Sequence, residues 1–156
     1  MLETQVASWG YLVGRELGAE EMGWDVMVTT GEANRTLIGK ALNRRIEEGD
    51  VVHIGVAPKR DGLNSCLRRS MVAVKSPQDG SPEQRYWFEF VEEAFDVGYQ
   101  AYVEVAQSGA PARRQEEDLV DFFRSRSRAV SERIGRPIEL ERFKPYTGTH
   151  NSDIKS

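Results

Sequence analysis

The chain has 156 residues, 39% hydrophobic and 29% charged, which suits one soluble globular domain with its own core. Its net charge of −4 argues against a general nucleic-acid binder, and its one cysteine, Cys66, excludes an internal disulfide or a cysteine-rich zinc site. No apolar run reaches membrane-spanning length, and MLETQVASWG lacks a basic segment ahead of an apolar core. The expected location is therefore cytoplasmic, with neither membrane nor nucleic acid as a partner.

Leu2, Val6, Trp9, Val13 and Leu17 share one helical stripe, so a helix is predicted from Glu3 to Leu17 with Gly18 as its stop. Gly10 and Gly14 weaken that helix by roughly 1 kcal/mol each, unless they serve close packing. Trp24–Thr30 alternates apolar and polar residues and reads as a strand, followed by a turn at Gly31-Glu32-Ala33-Asn34. Residues 36–46 are ambiguous and are read mostly as loop. The stretch Gly49–Ser76 reads as a long β-hairpin. Val51, Val52, Ile54 and Val56 form its first arm, and Leu63, Leu67, Met71, Val72 and Val74 its second. Asp61-Gly62 marks the turn between them, and arms this long are expected centrally in a sheet.

Ser81, Pro82 and Gln84 spell a helix start with a capping box. That helix is predicted to run to Gln107, ending at Gly109. Its inward stripe is Trp87, Val91, Ala94, Gly98, Ala101 and Val105, broadened by Phe88, Phe95 and Tyr102. A second helix is predicted over Glu116–Ile134 with Leu119, Phe122, Phe123, Val130 and Ile134 inward, stopped by Gly135-Arg136-Pro137. Arg124, Arg126 and Arg128 read as a solvated face.

The order of these elements, with the Gly49-Asp50 turn, Asp61-Gly62 and Arg68-Arg69-Ser70, resembles the first part of the "pita-bread" catalytic domain. That domain belongs to the creatinase/methionine aminopeptidase/Xaa-Pro peptidase superfamily, the M24-type metallopeptidases. The resemblance implies an α+β fold in which a curved, mostly antiparallel sheet is covered by helices. It implies one partial domain over residues 1–156, shortened at both ends relative to the family. It also implies hydrolysis of C–N bonds, usually by two divalent ions such as Mn, Co or Zn that activate a water.

The resemblance fixes where this chain departs. The positions matching the two metal-binding aspartates of the family hairpin hold Gly55 and Cys66. Gly148-Thr149-His150 resembles the segment that supplies the family's metal-binding histidine, which makes His150 the one candidate ligand. His53 lies two residues before Gly55 and so shares its side of the strand. It is either a satisfied core histidine or a pocket-lining one, and Arg68 is the second candidate pocket-lining residue. Asp50 and Asp61 read as turn residues. Cys66 is read as packed within a strand rather than nucleophilic, because a catalytic thiol needs a base beside it.

The expectation is therefore a chain without catalytic residues or resident cofactor, inactive as a peptidase alone. The alternative is a non-catalytic module that binds a peptide, a small amide-like ligand or a protein partner. An unpaired sheet edge and an exposed apolar face predict self-association, or association with a remainder of the domain.

Overall fold

The structure is a computed structural model that describes residues 1–36 and 39–143. These fall into two compact units, Met1–Gln84 and a second from Arg85 onward. His150 lies outside the described residues, as do Leu37 and Ile38.

In the first unit, α1 (Glu3–Glu16) packs beside β2 (Met27–Thr30). The predicted helix is present and stops at Gly18, whose φ is +93°. A Cβ on Gly10 would sit 2.8 Å from Val26 Cγ1, so this glycine lets the helix approach the strand closely. The core is Ala7, Val26, Val28 and Val52, extended by Val6, Ile46, Ile54 and Val56. The helix also buries a charge. Glu3 is fully buried and its carboxylate accepts hydrogen bonds from Thr30 Oγ1 (2.5 Å) and Leu42 N–H (3.0 Å). Arg44 closes the cluster: its Nη1 donates to the Thr30 carbonyl, and its own carbonyl accepts from Glu3 N–H. A buried carboxylate is tolerable only with such partners.

The strands form two antiparallel three-stranded sheets. One is β2, β3 (Val51–Val56) and β6 (Leu67–Val72), with β3 central. The other is β1 (Glu21–Met22), β4 (Pro58–Arg60) and β5 (Leu63–Asn64). The hairpin forms around its predicted turn, with positive φ at both Asp61 (51°) and Gly62 (80°).

Its arms are not one continuous ladder, however. Pairing of β3 with β6 ends at Val56↔Leu67, and beyond that point the arms join the second sheet. The first arm is central in both sheets, as β3 and β4, whereas β6 and β5 of the second arm are sheet edges among the described residues. The strand predicted from Trp24 begins at Met27, because Gly23 N–H is tied to the Ala57 carbonyl and holds the chain before it outside the ladder.

The predicted capping box of α2 (Pro82–Ser108) is made: Gln84 N–H donates to Ser81 Oγ (3.1 Å), and Ser81 N–H to Gln84 Oε1 (2.9 Å). Gln84 Nε2 also donates to the Gly49 carbonyl, fastening the helix start to the hairpin's opening turn.

In the second unit, Ala94, Gly98 and Ala101 of α2 are buried with Leu119 of α3 (Arg113–Ile134). Phe90 packs against Phe122 and Phe123, and Gln115 Nε2 donates to the Gly98 carbonyl from a buried position. The inward stripe of α2 is narrower than predicted. Its small members Ala94, Gly98 and Ala101 are buried as predicted, whereas Val91, Phe95 and Tyr102 are about half exposed or more. Arg124 and Arg128 form exposed ion pairs with Asp121 and Glu132, as a solvated face does.

Candidate functional site

The β2-β3-β6 sheet buries one face against α1, and the hairpin positions of interest lie on the other. The register sets its side chains in transverse rows. Thr29, His53 and Ser70 are mutual partners across the three strands, and the next row is Met27, Gly55 and Arg68.

In the first row, His53 Nδ1 and Ser70 Oγ are 2.9 Å apart. Thr29 donates its hydroxyl to Asn34 Oδ1 (2.7 Å), and Asn34 Nδ2 donates to the Val51 carbonyl (2.7 Å), which pins the 3-10 turn Gly31–Arg35 beside the sheet. Asn34, Arg35, Thr36, Val51, His53 and Ser70 line a cleft of about 290 Å³. His53 is half-buried, so the sheet both satisfies it and exposes it to the cleft. Burial, and then the charge of Arg68, hold the His53 imidazole below its ordinary pKa of 6.5.

The second row decides the metal question. Gly55 has no side chain, and its place is taken. A Cβ built there would lie 2.5 Å from Met27 Cε and 3.6 Å from Arg68 Cγ. A thioether end and the stem of a guanidinium converge where a carboxylate would have to stand. A hard divalent ion needs anionic oxygen or imidazole donors, and a neighbouring guanidinium repels it.

Cys66 is exposed and lies between β5 and β6, outside the ladder, not packed within a strand as predicted. The arm breaks at Ser65-Cys66, so no strand neighbour covers the thiol. Asp50 serves its turn by accepting Glu47 N–H at Oδ2 (2.9 Å), and Asp61 occupies the hairpin turn. Among the described residues no three His, Cys, Asp or Glu side chains converge as a metal ion requires. The donor set at the hairpin does not fit a pair of divalent ions.

The sequence model of the family described as metallopeptidase family M24 matches residues 1–150. The chain belongs to metallopeptidase family M24. Solved structures of M24-like architecture agree in fold. The X-Pro aminopeptidase of Thermotoga maritima is 21% identical over 81% of this chain and 34% of its own, with a TM-score of 0.65. The prolidase of Pyrococcus furiosus is 24% identical over 80% of this chain and 35% of its own, with a TM-score of 0.65. The aminopeptidase PepP of Pseudomonas aeruginosa is 22% identical over 86% of this chain and 28% of its own, with a TM-score of 0.69. This M24 chain thus spans about a third of the length of those solved chains. No curated protein matches it. Its fold is α+β, with antiparallel sheets and helices in the creatinase/aminopeptidase-like arrangement. None of its described helices is long and apolar enough to cross a membrane.

His53 and Gly55 thus share one sheet face, as strand alternation predicts; the register adds Arg68 to that face, and Cys66 stands apart from them. Met27, Asn34 and Ser70 escaped the sequence reading. Ser70 follows Arg68 by two residues and so shares its face, but only the register puts it opposite His53. Met27 alternates with core residues and carries no mark of filling the space above a glycine.

Proposed function

We propose that this chain is a non-catalytic, M24-type binding module that does not itself hydrolyse peptide bonds. One observation carries the reading: residue 55, which the resemblance matches to a metal-binding aspartate, is a glycine whose side-chain space is entered by the Met27 methyl end and flanked at contact distance by the Arg68 stem. A two-metal mechanism needs bridging carboxylates to hold the ions and acidify a water between them. The sheet offers a thioether from β2 and a cation from the hairpin instead. The cleft beside it is the binding surface, and a peptide or small amide-like compound is its ligand. β6 is a sheet edge with Leu67 and Met71 half exposed, which favours self-association or a protein partner on that side. A cytoplasmic location belongs to the same proposal.

The test is an Xaa-Pro peptide assay on the chain supplied in turn with Mn, Co and Zn, alongside peptide binding followed by NMR. The reading expects no metal-dependent turnover and perturbation of cleft residues by peptide. Turnover above a metal-only blank refutes it.

A further inference from the structure

The cleft beside His53 differs in chemistry from the chain that carries it. The chain has a net charge of −4, yet none of the six residues lining this cleft is acidic. Arg35 contributes a planar fork of N–H donors at its rim. Asn34 spends one amide hydrogen on the Val51 carbonyl and retains the other.

The His53–Ser70 pair has a hydrogen to spare in either tautomer. If Nδ1 carries the proton it donates to Ser70 Oγ, and the serine hydroxyl is left to donate. If Nε2 carries it, Ser70 donates to Nδ1 and the Nε2–H is left. One row away, Arg68 adds a positive field on the same face. The volume, about 290 Å³, sits at the lower end of ligand pockets, which run from roughly 300 to 1,000 Å³. It suits a small head group.

The geometry points to a small oxyanion, a phosphate or a carboxylate, as the ligand of this cleft, held by Arg35 and the His53–Ser70 pair in the field of Arg68. This rests on the non-catalytic reading above and names its ligand class. The sign of the site is inverted relative to its family. A metallopeptidase face gathers carboxylates to hold cations, whereas this face presents protein-borne cations and neutral donors and accepts an anion.

NMR titration of the full labelled chain at constant ionic strength tests it. Four probes are used: inorganic phosphate, acetate, a short peptide with a free carboxylate, and the same peptide amidated. Saturable shifts at Ser70 and His53 with an oxyanion are expected. They should be at least about tenfold weaker in Arg35→Met, the scale of a charge-assisted hydrogen bond. A response to phosphate and acetate alike assigns a free anion, and a response to the carboxylate peptide alone assigns a chain end.

Absence of saturable shifts, equal binding of the amidated peptide, or unchanged affinity in Arg35→Met overturns the inference. Arg35 is exposed, so its replacement leaves the fold intact, and an unchanged melting curve checks this. The two readings fail separately. Equal binding of the amidated peptide without turnover removes the anion and keeps the binding module, whereas metal-dependent turnover removes the module itself.

Discussion

Replacing Gly55 by alanine measures directly whether the space above it is occupied. The new Cβ would lie 2.5 Å from Met27 Cε, roughly 1 Å inside ordinary carbon–carbon contact. Met27 is only 4% exposed, so its flexible methyl end must find a new place among buried neighbours. Overpacking of this kind costs about 1–3 kcal/mol, while removing a glycine from a strand returns about 0.5–1 kcal/mol. The net expectation is a loss of about 1 kcal/mol, a melting shift of about 4–8 °C for a unit this size. In a Met27→Ala background the clash is absent and Gly55→Ala should be neutral or mildly stabilising. The four proteins of this cycle, unfolded in urea and followed by circular dichroism, should give a coupling of about 1–2 kcal/mol. A coupling below about 0.3 kcal/mol would show that Met27 does not fill the position, and the reasoning about the missing carboxylate would fall with it.

Three further outcomes follow from the same geometry. Ser81→Ala removes one half of the α2 capping box and should cost about 1 kcal/mol in urea unfolding, and an unchanged midpoint would contradict the box. Glu3→Ala strands the buried Thr30 hydroxyl, takes the acceptor from the partly buried Leu42 N–H, and should cost about 3 kcal/mol or prevent folding, with Glu3→Gln recovering part of the loss. His53, followed by its ring resonances in NMR, should titrate below 6.5, and Arg68→Met should move it upward. Because folding depresses this pKa, the stability it contributes is complete above pH 6.5 and is lost as pH falls from there through the folded value. An imidazole titrating at or above its ordinary value would contradict the burial and charge assigned to it.

What the sequence discloses here follows the range of the interactions. The start of α2 was legible because Ser81, Pro82 and Gln84 complete their hydrogen bonds within a single turn. The hairpin turn was legible because Asp61-Gly62 takes up a backbone shape that few other pairs accept. The break of its arms into two sheets was not, because β4 leaves the first ladder to pair with β1, a strand of two residues with no periodic signal, while β5 stays paired with β4. That break also explains Cys66, which alternation places in a strand and the structure leaves exposed.

Nothing in the sequence around Glu3 marks it as buried, because its partners Thr30 and Leu42 lie far along the chain. On α2, the large apolar residues suggested one broad inward face. Of the predicted face only its small members, Ala94, Gly98 and Ala101, are buried, with Leu119 lying close over Gly98, and Phe90 meets Phe122 and Phe123 of α3. Of the candidate site, the shared side of His53 and Gly55 followed from alternation alone, whereas Arg68 joins them only through the register of β3 with β6. The cleft did not, since it needs the 3-10 turn at Asn34 folded against the sheet.

The claim that the hairpin face holds no metal ions is tested most directly by dialysing the chain against Mn, Co or Zn and counting the ions retained. The account predicts less than one ion per chain at micromolar free metal, and no change on replacing His150. Two ions retained per chain, released by His150→Ala, would contradict it.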